Sequence, residues 1–108
     1  MKLNPDNIYE RLTTLGEEWA DANYAAELLE ETRKTLISQL GTEADEKSSA
    51  ARENYALRHD DYKKHIQTMV SARKSANKAK VRYESAKIWA ELKRTEAAND
   101  RITMRSAT

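Results

Sequence analysis

The chain has no cysteine and no phenylalanine, one proline and two glycines among 108 residues. Without cysteine there is no disulfide, no thiolate metal ligand and no thiol nucleophile. With Pro5, Gly16 and Gly41 as the only strong punctuation, the backbone has few places to turn. No apolar run approaches the roughly 18 residues of a membrane span, and Met1 to Tyr9 carries no apolar stretch of signal-peptide type. There is no glycine-rich phosphate loop, and no serine has a base at a recognisable spacing. These absences lead us to expect a cytoplasmic, non-enzymatic protein with no cofactor and no membrane partner.

What is present is charge and small aliphatic side chains. The composition is 39% hydrophobic and 34% charged with a mean hydropathy of -0.93, the mixture expected of long helices packed edge to edge around a thin core. The net charge of +1 conceals an asymmetry. Residues 1 to 57 hold six Lys or Arg against twelve Asp or Glu, a net of -6, and residues 58 to 108 hold thirteen against six, a net of +7. Two antiparallel halves would cancel much of this charge, whereas separated halves would leave the basic one free for an acidic partner.

Hydrophobic spacing defines the helices. Asn4 before Pro5 is a helix start, because Asn caps free amides and proline's missing N–H costs nothing at the first helical position. Ile8, Leu12, Leu15, Trp19, Ala22, Ala26, Leu29, Leu36 and Leu40 then alternate four- and three-residue steps, interrupted only by Arg33. That heptad pattern predicts a first helix over 5–40, roughly 54 Å long, ended by Gly41. Thr42 can cap a second helix over 43–58. A third, over 61–105, carries a seam of Tyr62, His65, Met69, Ala72, Ala76, Ala79, Tyr83, Ala86, Ala90 and Ala97.

Two readings remain open between the last two helices. Their seams are in phase, which allows one arm of roughly 94 Å, pairing 43–78 with the first helix and projecting about 27 residues beyond it. Against that, His59-Asp60-Asp61 is poor helix material, and Asp60 can cap a new helix. The fold class expected is one all-α domain over 1–108. It is either an antiparallel helical hairpin of coiled-coil type with a long, straight or kinked second arm, or a three-helix bundle.

Two surfaces carry functional weight. Arg73, Lys80, Lys87, Arg94 and Arg101 recur every seven residues along roughly 42 Å, and Lys74, Lys78 and Arg82 widen that ridge. Such a row can track a phosphate backbone, so DNA is a candidate partner. The alternative is that these cations flank the seam and pair with Glu10, Glu17, Glu18, Glu27, Glu30 and Glu31. Val81, Ile88 and Leu92 face away from the alanine seam, with Trp89 between the two faces. A helix apolar on two sides wants two partners, so a homo-oligomer, first a dimer, is expected through these four residues. No metal site is expected: His59 and His65 are six apart, and Asp61 with His65 makes only two ligands.

The run from Met69 to Lys87, continuing through Arg94 to Ala98 and Met104-Arg105, resembles the C-terminal half of small uncharacterised proteins encoded by bacteriophages and prophages. The opening Leu15-Gly16-Glu17-Glu18-Trp19-Ala20-Asp21-Ala22 resembles their N-terminal half. Such proteins are often encoded among replication and recombination genes. The resemblance implies an accessory role in DNA transactions inside a bacterial cell, with a replication, recombination or host protein as a further candidate partner. It brings no assigned activity or site residues. The alternative function is a protein-interaction module, or an inhibitor of a host protein, that acts through the apolar helix face.

Overall fold

The computed structural model describes residues 4–107; Met1 to Leu3 and Thr108 lie outside the described residues. Three helices follow one another: α1 over Pro5–Glu43, α2 over Ser49–Arg58 and α3 over Asp60–Ala107. α1 and α3 lie antiparallel, and the molecule measures 86 × 19 × 16 Å. The fold is therefore an all-α hairpin, with a short helix at its closed end.

The two heptad rows expected from sequence are the rows that meet, except that Ala97 at the end of the α3 row lies exposed beyond the contact. On α1 every seam position from Ile8 to Leu40 is at least half-buried, Arg33 included. On α3 the same holds from Tyr62 to Ala90, with Ala76 and Ala79 fully covered. The antiparallel register is read from cross-hairpin contacts. Arg33 Nη1 donates to the Tyr62 hydroxyl at 3.4 Å, His65 Nε2 lies 2.7 Å from the Leu29 carbonyl oxygen, and the Trp19 and Tyr83 rings stand 5.6 Å apart. Arg33 thus interrupts the apolar row without becoming an orphan, because a phenol oxygen receives it.

The core is as thin as the composition implies. Among the described residues the buried apolar ones are Ala26, Leu40, Ala56, Ala76 and Ala79, and no large side chain there is completely shut off from solvent. Alanine at the contact lets the helix axes come close, but it removes little apolar surface from water. Gly16 lies beside the Tyr83 ring, where an added Cβ would stand at 3.5 Å, an ordinary contact that the approach of the helices does not forbid.

The structure corrects three local expectations. Gly41 does not end the first helix. α1 runs on to Glu43 with Ala44 as its extended cap, and Gly41 is buried against Arg52 of α2 without a positive φ, so it makes no left-handed turn. Thr42 does not cap α2. Its hydroxyl bonds back to the Gln39 carbonyl at 2.6 Å, and Ser48 caps α2 by accepting from the Ala51 amide at 3.1 Å. The chain breaks between α2 and α3, but the residue at the break is His59, not Asp60.

His59 adopts an extended conformation, ends α2 and begins α3. Its Nδ1 accepts from the Asp61 amide at 3.0 Å and its carbonyl accepts from the Lys63 amide at 3.2 Å. An imidazole nitrogen placed two residues before a free amide does what an Asp side chain does at that place. The continuous 43–105 arm is excluded by this break, and the contact with α1 does not stop at residue 78: α2 and α3 both pack on α1, and the α3 seam stays covered as far as Ala90. α3 meets α1 from Tyr62 onward, and from Arg94 to Ser106 every residue is exposed. The projecting tail is accordingly shorter than a continuous arm would leave.

Candidate interaction surface on α3

The helical period sets where each side chain of α3 points. At about 100° per residue, Val70, Val81, Ile88 and Leu92 fall within about 40° of one another, and Ile102 lies within about 40° of Ile88. Ala72, Ala76, Ala79 and Ala86 lie on the opposite side, where α1 packs. The apolar stripe is consequently left open: Val70 is 57% exposed, Val81 62%, Ile88 58%, Leu92 59% and Ile102 61%. Trp89, 42% exposed, sits at the edge of this stripe. It lines a groove of about 720 Å³ between α3 and the start of α1, together with Ile8, Leu12, Leu15 and Arg82. All four expected interface residues thus belong to one open surface. Val70 and Ile102 extend that surface, and carrying the same spacing outward in both directions finds them in the sequence.

The basic ridge is less uniform than its sevenfold spacing implies. Arg73 turns toward α1, where Nε and Nη2 donate to the two carboxylate oxygens of Glu30 and Nη1 donates to Asn23 Oδ1 at 2.8 Å. Those hydrogen bonds hold the Glu30 carboxyl below its ordinary range against an opposing contribution from burial, and they raise Arg73 further. A guanidinium held as a fork on a carboxylate is a hairpin clamp, and it is not free for a phosphate. Lys80 places its Nζ 5.8 Å from the centroid of the Trp19 ring, also across the hairpin.

The other ridge residues divide into two groups. Lys74, Lys78 and Arg82 are exposed and line a shallow depression with Val70, Asn77 and Val81. These three have no ion-pair partner among the described residues. Lys87, Arg94 and Arg101 are exposed further along α3, the last two beyond the reach of α1. The row that looked continuous in sequence is therefore engaged at Arg73 and Lys80 and open elsewhere. Of the α1 acids named as alternatives, Glu30 is the one that takes a ridge cation in an ion pair among the described residues. Asn23 was not foreseen as a partner of Arg73.

The histidines serve the fold. His65 bonds to the Leu29 carbonyl from within the seam, and His59 faces Glu43 at 3.9 Å and Asp61 at 3.8 Å while it caps α3. Among the described residues no three His, Asp or Glu converge as a metal site, and none of the helices is long and apolar enough to cross a membrane. No family model matches this chain, and comparison with curated proteins and with solved structures gives no match.

Proposed function

We propose that the protein is a non-catalytic helical interaction module that self-associates through the outer face of α3. The observation that carries this reading is the half-open apolar stripe of Val81, Ile88 and Leu92, with Trp89 beside it, on the side of α3 turned away from α1. A hairpin whose buried core, among the described residues, is Leu40 and four alanines has much to gain from covering that stripe. The test is solution mass by light scattering. The wild type is expected at twice its 12.4 kDa chain mass, and Val81→Asp with Ile88→Asp at the single-chain mass with helicity retained by circular dichroism. A wild type that stays at the single-chain mass at high concentration would defeat the reading.

A second reading has its own support in Lys74, Lys78 and Arg82, which are exposed on one face and carry no ion pair among the described residues. It makes the protein an accessory to DNA processing that binds the phosphate backbone through these cations, with Lys87, Arg94 and Arg101 further along the helix. The resemblance of Met69 to Lys87 to phage and prophage proteins supports that setting, in the cytoplasm of a bacterial cell and beside replication or recombination proteins. Binding of a duplex at low ionic strength, weakening steeply as salt rises, is the expected outcome. Replacing Lys74, Lys78 and Arg82 together by alanine should flatten the salt dependence; unchanged binding by that variant would remove these residues from the interface. The self-association reading stands first, because Arg73 and Lys80 are drawn into the hairpin and the ridge loses its continuity.

A further inference from the structure

We infer that the occupant of the α3 stripe is α3 of a second copy, laid antiparallel about a two-fold axis that crosses near Ala86 and Lys87. This inference rests on the self-association reading and adds its direction and register. As two antiparallel copies of the stripe slide past each other, the alignment that brings the most large apolar residues together has its axis between residues 86 and 87, and places Val70 and Ile102 within one residue of direct opposition. In it Val81 faces the second copy's Leu92, Val70 faces the second copy's Ile102, and Ile88 packs beside the second copy's Ser85. Each contact occurs twice by symmetry. An alignment that sets Ile88 on its own symmetry mate instead puts Val81 against Thr95 and Leu92 against Glu84, leaving two large apolar residues on polar ones.

Charge agrees with the same register. Lys78 and Glu96 are 18 residues apart, about five helical turns, so they share one flank of the stripe, the flank that bears Trp89. A two-fold axis brings that flank against itself, and this register sets Lys78 beside the second copy's Glu96, with Lys74 close to the second copy's Asp100. Lys78 has no ion-pair partner among the described residues, and Glu96, 64% exposed, is held from one side by Lys93 at 3.2 Å. Lys80 and Lys87 lie more than about 90° from the middle of the stripe and stay outside the contact. In a parallel in-register pair, Lys78 and Glu96 would lie about 27 Å apart along the axis and could not meet.

Size and shape fit as well. The six side chains Val70, Val81, Ile88, Trp89, Leu92 and Ile102 leave on the order of 600 Å² of apolar surface open per chain. With their polar flanks they approach the ~800 Å² per partner of a standard interface. The tail of α3 that projects past α1 then rests on the second copy's α3 near Val70, a segment braced from behind by that copy's own α1. The arrangement covers the Ile102 face of a stretch whose residues are exposed in the single hairpin.

Because the natural chain lacks cysteine, introduced thiols report the register directly. The double variant Val81→Cys with Leu92→Cys should form disulfide-linked dimers on mild oxidation; within one helix the two sites are about 16 Å apart and cannot bridge. Val81→Cys alone should stay uncross-linked, since its two copies lie about 16 Å apart along the axis in this register. As an independent readout, Lys78→Glu should raise the dimer dissociation constant about tenfold, and adding Glu96→Lys should restore it. Linked dimers of the double variant with charge-swap rescue support the inference. Cross-linking of Val81→Cys alone, or failure of the double variant to link while the wild type is dimeric by mass, overturns the register and leaves self-association standing. A monomeric wild type overturns both.

Discussion

Single residues test the hairpin contact most directly. Gly16 costs its helix about 1 kcal/mol relative to alanine, and a Cβ added there would meet Tyr83 at 3.5 Å, an ordinary contact. Gly16→Ala is expected to stabilise the fold by up to about 1 kcal/mol, read as a higher urea midpoint; a lower midpoint would show that Tyr83 cannot accommodate the methyl group. The Arg73 clamp makes a prediction about acid. Glu30 is held below its ordinary range by the Arg73 hydrogen bonds, so its contribution is complete above the unfolded-state carboxylate pKa and is lost as pH falls through the lower folded value. Arg73 is raised, so its share persists across the acid range and the acid loss belongs to Glu30. The melting temperatures of the wild type and Glu30→Gln should therefore differ near neutrality and converge toward the bottom of the acid range. Parallel curves would count against the clamp.

At the scale of elements, α2 is the weakest part and α1 with α3 the strongest. α2 is ten residues long and one of its residues, Ala56, is buried, so its persistence depends on its cap and on packing over Gly41. Ser48→Ala is expected to cost α2 about 1 kcal/mol. Hydrogen exchange should then accelerate in 49–58 while α1 and α3 keep their protection, and uniform acceleration would mean that α2 is integral to the hairpin. The long contact should respond to volume. Ala76, 1% exposed against α1, leaves no room for a larger side chain, and Ala76→Leu should destabilise the hairpin by about 1–3 kcal/mol as measured by chemical denaturation.

At the scale of the whole molecule, the balance between buried and exposed apolar residues governs behaviour. The large side chains lie half-buried along the seam or open on the outer face, and the fully buried positions are nearly all alanine. If the outer face of α3 pairs as proposed, folding and association are linked by mass action, and the melting temperature should rise with chain concentration. A concentration-independent melting temperature across a hundredfold range would place the full stability within one chain.

The sequence by itself determined the helices and the faces that meet. Steps of three and four from Ile8 to Leu40 and from Tyr62 to Ala90 mark the longest rows, and these are the rows along which α1 and α3 pack. The outer stripe of Val81, Ile88 and Leu92 follows from the same period. Tertiary structure decided what period alone cannot. Seams in phase across residues 43 to 105 are compatible with one arm or two, and the break at His59 depends on an imidazole nitrogen reaching a free amide and on α2 packing over Gly41. Sevenfold spacing makes Arg73 and Lys80 equivalent to Lys87 and Arg94. Only the antiparallel register brings Glu30, Asn23 and Trp19 within reach of the first two while leaving Arg94 beyond the start of α1. Spacing along one chain fixes direction around a helix, whereas the partner a side chain finds depends on how far the second helix has slid past the first.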